Sequence, residues 1–150
     1  MTLSTFTIDD IRKLNPCYDP ARYLPEDWIG TALDVLRVTA CPVEDRFWVV
    51  FHEGWIDDRA LRLFAVWCAR QAMALIGNPD PRSITACDVA ERFANGEATS
   101  EELAAARVAA GEAAWVAAWV AAGEAAREAA REAAWVAQIN HLIEMLEEIQ

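Results

Sequence analysis

Two histidines, four cysteines and an excess of carboxylates are the side chains with which this 150-residue chain could do chemistry. His52 and His141 stand far apart in the sequence. His52 closes the apolar run FWVVF and reads as a packed or capping residue. His141 lies at the edge of the last amphipathic stretch, where exposure is expected. Glu44, Asp45, Asp57 and Asp58 gather at helix starts, where the positive end of the helix dipole favours carboxylates without any catalytic role. Cys17, Cys41, Cys68 and Cys87 contain no C-x-x-C pair, so a four-cysteine zinc site is not expected. Cys68 and Cys87 fall in amphipathic stretches, where a thiol packs as a small hydrophobe. The chain has no phosphate loop, nucleophile elbow, H-E-x-x-H or dinucleotide fingerprint. The expectation is a protein without enzymatic activity, metal or other cofactor.

Recognition chemistry is better represented. The stretch NPCYDPARYLP holds three prolines and presents Tyr18, Asp19 and Tyr23, with Trp28 just beyond. Rigid loops displaying aromatics suit protein contacts, although core packing also accounts for Trp28. Arg70 on one helix and Asp88, Glu91 and Arg92 on the next flank the turn NPDPR. Antiparallel helices would bring them into an ion pair, either a structural bridge or a recognition patch. The net charge is −11, with 24 acids against 13 bases. That disfavours nucleic acid, whose phosphates need clustered cations. It suits a basic protein partner, and equally plain solubility. No apolar run spans a membrane, because Glu112 and Glu124 interrupt the longest one. No secretory signal precedes Phe6, so a cytoplasmic location is expected.

These residues must be positioned by helices. Thr7 can cap a short helix from Ile8 to Leu14, ended by Asn15-Pro16. Pro25 opens an expected helix with Trp28, Ile29, Ala32, Leu33 and Leu36 on one face. Pro42 opens a third, PVEDRFWVVFHE, whose FWVVF could also pass for a buried strand. Proline followed by acids favours the helix. A fourth, capped by Asp57 or Asp58, has so wide an apolar face that it is expected to be central. A fifth runs from Pro81 to Ala94 and stops at Asn95-Gly96. Thr99 and Glu102 then spell a capping box. No strand pair is signalled. The expected fold is all-α: a compact multi-helix domain over residues 1–98, followed over 99–150 by a long Ala-rich helix or helical hairpin.

Within that tail, alanine pairs recur every four residues. Each repeat carries them about 40° further round a helix, so they define no single face. Trp115 and Trp119 form an i,i+4 ridge expected to bury against another helix or a partner. Trp135, Val136, Ile139, Leu142, Ile143 and Leu146 form a regular stripe on a different side. Either the chain turns near Gly123, or one continuous helix meets two partners and a homodimer through residues 100–150 follows. Tandem duplication of short DNA units would also produce this period without any function.

The strings NPCYDPARYLPEDW (Asn15–Trp28), PVEDRFWVV (Pro42–Val50), LRLFAVWCAR (Leu61–Arg70) and CDVAERFANGEATSEELAAAR (Cys87–Arg107) occur in that order. Together they resemble the immunity-protein-five-like family of bacterial polymorphic-toxin systems, whose tails often run on as Ala-, Arg- and Trp-rich repeats. The resemblance covers roughly residues 6–110. It implies a small helical protein that binds and neutralises a cognate toxin, with no catalytic residues to carry over. The rival expectation is a helical scaffold or phage-borne inhibitor that assembles through its tail. Deleting residues 111–150 should then spare toxin neutralisation in the first case and abolish activity in the second.

Overall fold

The computed structural model describes residues 3–52, 54–75, 77–118 and 124–149, with side chains outside 112–132. It is mostly helical, as expected. Contacts divide it into two compact units, residues 1–57 with 133–150, and residues 58–132. This grouping differs from a division at residue 98. The tail contributes its last segment to the first unit because that segment alone carries a coherent apolar stripe.

The first unit begins with a strand–helix pattern used twice. Strand β1 (Thr5–Thr7) leads into α1 (Ile8–Lys13), and β2 (Ile29–Thr31) leads into α2 (Ala32–Leu36). The strands pair antiparallel, with Phe6 opposite Gly30. Each ends in a threonine that starts the next helix through T-x-x-D. Thr7 accepts from the Asp10 amide while Asp10 accepts from the Thr7 amide, and Thr31 and Asp34 do the same. Such a box satisfies amide donors that the first helical turn leaves open.

The small hairpin departs from the expectation of no strand pair within the all-α fold, and it shortens the helix expected from Pro25. Pro25 instead makes a turn, with the Trp28 amide donating to its carbonyl at 3.0 Å. The Trp28 carbonyl then accepts from Ile8 at 3.2 Å, drawing Ile29–Thr31 into the sheet. Gly30 is required there. A Cβ at that position would lie 2.5 Å from a Trp28 ring carbon.

Helix α3 (Val43–Val50) follows Pro42 as its N-cap residue. Helix α7 (Glu124–Glu147) supplies Ile139, Leu142 and Leu146 to the core of the first unit. They join Ile8, Ile11, Leu33, Leu36, Val49 and Val50, all buried. Arg37 pairs with Glu147 at the helix end.

The second unit holds α4 (Asp58–Ala74), α5 (Pro81–Ala94) and α6 (Ser100–Ala118). Asp80 caps α5, with proline in its first turn. Gly96, at a φ of 76°, takes the left-handed conformation that ends it. Thr99 and Glu102 form the expected box at α6, with amide contacts of 2.7 and 3.1 Å. Helix α4 is not central. Only Ala60, Phe64 and Val66 are buried along it, and Ala65 and Ala72 are exposed. Its wide apolar face is therefore only partly covered. Among the described residues, no helix is long and apolar enough to cross a membrane.

Two of these caps contribute to the acid behaviour. Lys13 donates to Asp10 at 2.9 Å, and with the Thr7 amide and hydroxyl it lowers the Asp10 carboxyl from 3.8 to about 2. The Arg82 side chain and amide hold Asp80 at about 2 as well. A carboxylate favoured by folding contributes stability fully above its unfolded value, and loses it as pH falls through the folded one. Thermal midpoints should therefore drop between about pH 4 and 2, and Asp10→Asn/Asp80→Asn should flatten that drop. An unchanged acid limb in the double variant would assign it to other groups.

Candidate partner-binding surface

The proline-rich loop is fastened to α1 by one arginine. Arg12 reaches Asp9 at 3.1 Å, Asp19 at 3.4 Å and Glu26 at 2.8 Å. Glu26 contributes most to holding the guanidinium firmly protonated. Asp19 also accepts from the Ala21 amide at 3.0 Å, starting a 3₁₀ turn over Pro20–Arg22. The exposed Asp19 thus shapes the loop as well as charging its surface.

Tyr18 and Tyr23 meet edge to face, with ring centroids 5.6 Å apart. Both line an apolar cavity of about 10 Å³ with Ile11, Pro20 and Cys41. Burial, with Cys41 and Asp45 nearby, pushes the Tyr18 phenol up. Burial likewise raises the Cys41 thiol. Cys41 is buried, while Tyr18 and Tyr23 are half-buried and leave an edge for contact. Arg22 lies over the Tyr23 ring at 5.7 Å.

Trp28 belongs to a different set. It meets Phe6 edge-on at 5.4 Å, and Phe6 stacks on Trp55 at 3.7 Å. Trp55 approaches His52 at 6.1 Å, and His52 meets Trp48 at 4.6 Å. A row of five rings therefore crosses the first unit. Of the residues expected to form one site, Tyr18, Asp19 and Tyr23 share the loop, whereas Trp28 opens this row. Trp115 and Trp119, the turn near Gly123 and the proposed tail dimer lie outside the described side chains and residues.

The row ends on a face that the sequence did not single out. Phe47, Val49 and Val50 are buried, but Trp48 is 40% and Phe51 43% exposed. Phe51 stacks on Phe47 at 5.1 Å. Residues 48, 51 and 52 lie one turn apart where α3 ends, on a side that the wholly apolar FWVVF does not mark. His52 Nδ1 lies 2.7 Å from the Trp48 carbonyl. A carbonyl only accepts, so Nδ1 carries the proton, and a neutral ring presents Nε2 as acceptor. This face can offer apolar area and ring faces to another molecule, and the loop offers the carboxylate of Asp19.

The remaining polar candidates serve packing within the second unit. Arg70 bridges α4 to α5 through Asp88 at 3.0 Å and Glu91 at 2.6 Å, as the spacing across NPDPR predicts. Arg92 instead reaches the Glu97 carbonyl at 2.9 Å and Glu102 at 3.8 Å. Among the described residues, no group of three or more His, Cys, Asp or Glu is placed to hold a metal ion. No family model, curated protein or solved structure matches the chain.

Proposed function

We propose that this chain is a non-enzymatic binding protein that neutralises a cognate protein toxin. The observation that carries the reading is the pair Trp48 and Phe51, exposed at the end of a helix whose other face is buried. Exposed aromatics beside well-packed ones are where interfaces concentrate their binding energy. The fastened loop with Asp19, Tyr18 and Tyr23 adds acidic and aromatic edges, and the net charge of −11 favours a basic partner. The family resemblance of the quoted strings points to the same role.

The chain should be co-expressed with toxin genes neighbouring its own, and growth recorded. Rescue is expected from one of them. Trp48→Ala/Phe51→Ala should weaken that complex by at least about thirtyfold, measured well below the variant's own thermal midpoint, which falls because both rings are more than half covered. No rescue by the wild-type chain would reject the immunity role. Full protection by the double variant would reject this surface.

A further inference from the structure

The second unit contains a groove of about 430 Å³ between α4, α5 and α6. Six alanines line it with Val66 and Met73, and the polar groups among them are confined to Ser83 and Cys87. Alanines at these positions leave open the space that larger side chains would fill. The charged residues of the lining are Arg62 and Arg107, and no acid is among them.

Those two arginines differ from three others of their unit, which carboxylates hold. Arg70 is held by Asp88 and Glu91, Arg82 by Asp80, and Arg92 by Glu102. Arg59 donates to the Asn95 amide oxygen at 2.8 Å. Arg62 instead lies over the Phe93 ring at 4.7 Å. Among the described residues, neither Arg62 nor Arg107 has a carboxylate partner. With 24 acids to 13 bases, a basic side chain here is surrounded by an excess of possible partners. Of the three described arginines of this unit without a carboxylate partner, Arg59 is taken up by Asn95, and Arg62 and Arg107 border the same apolar groove.

We infer that this groove binds an amphipathic carboxylic acid, its apolar chain lying along the alanines and its carboxylate on Arg62 or Arg107. The guanidinium fork matches a carboxylate in shape and charge. The scarcity of polar lining groups disfavours a hydroxyl-rich or heterocyclic ligand, whose buried polar atoms would go unpaired. The groove volume lies within the range of about 300–1,000 Å³ of sites that enclose small molecules. This inference is independent of toxin binding, which is placed on the first unit.

Titration calorimetry of the full chain with dodecanoate, dodecanol and dodecyltrimethylammonium tests it. Dodecanoate should saturate a single site and shift the methyl resonances of Ala65, Ala69, Ala86 and Ala90. Dodecanol should bind about tenfold more weakly. Arg62→Gln/Arg107→Gln, a change of exposed or half-exposed side chains, should abolish that preference without changing the circular dichroism. Ala69→Trp should block binding of both. Equal affinity for dodecanoate and dodecanol, preference for the ammonium, or no saturable binding of dodecanoate would overturn the assignment.

Discussion

Replacing Leu142 and Leu146 together by alanine is expected to unfold the first unit. Both side chains are fully buried, and Ile139 beside them is 5% exposed. Each Leu→Ala change in a packed core costs about 3–5 kcal/mol, from lost transfer energy and the cavity left behind. One turn apart on α7, the two leave a shared cavity, so their costs will not add strictly. Even a partial sum of about 5–8 kcal/mol approaches the whole stability of a small domain, about 5–15 kcal/mol. Near-ultraviolet circular dichroism should lose the signal of the packed Phe6–Trp55 stack, and the urea transition should move toward zero denaturant. A transition midpoint within error of the wild type would show that α7 does not support this core.

The same burial changes what truncation can reveal. A tail treated as an appendage would be dispensable for neutralisation, so deleting residues 111–150 would distinguish an immunity role from a scaffold. Ile139, Leu142 and Leu146 belong to the core of the first unit, which also holds Trp48 and the proline-rich loop. The deletion therefore removes core and function together under either reading. Surface substitutions at Trp48 and Phe51 avoid that confusion.

What the sequence made legible was local. Thr7, Asp80-Pro81 and Thr99 announce helix starts because a cap and the amides it satisfies lie within three residues. The Arg70 bridge was legible because NPDPR forces a reversal that brings neighbouring helices alongside. The β1–β2 pairing had no such signal. Three-residue strands are too short to show a period of two, and Ile29-Gly30-Thr31 also continues a plausible helical face. The T-x-x-D at Thr31 was the available clue, and it repeats the pattern at Thr7. The helix through FWVVF was legible, but not which of its sides emerges. A fully apolar run has no preferred side, so the neighbours of α3 decide that Phe47 turns inward and Trp48 outward. The alanine repeats lack a preferred side for the same reason, and only the stripe from Ile139 to Leu146 breaks the degeneracy.

Arg46 supplies the second large effect, because its stem and its charge act in opposite directions. The side chain is 8% exposed, and Nη1 donates to the Leu36 carbonyl at 2.7 Å, where α2 ends. Its Nε is buried without a hydrogen-bond partner. Burial lowers the guanidinium pKa, opposed by the nearby Cys41. The charge therefore carries a desolvation cost that no carboxylate among the described residues offsets, while the three methylenes pack at about 0.8 kcal/mol each. Arg46→Met keeps most of the stem, discards the charge and leaves the Leu36 carbonyl without this donor. Relief of desolvation should nearly cancel a loss of about 1–3 kcal/mol for that carbonyl, so its urea midpoint should lie close to wild type. Arg46→Ala discards the stem as well, and should fall about 2–3 kcal/mol below the methionine variant. Equal midpoints for the two variants, both close to wild type, would show that the stem is not packed. A methionine variant as unstable as alanine would show that the bond to Leu36, rather than packing, holds α2 against α3.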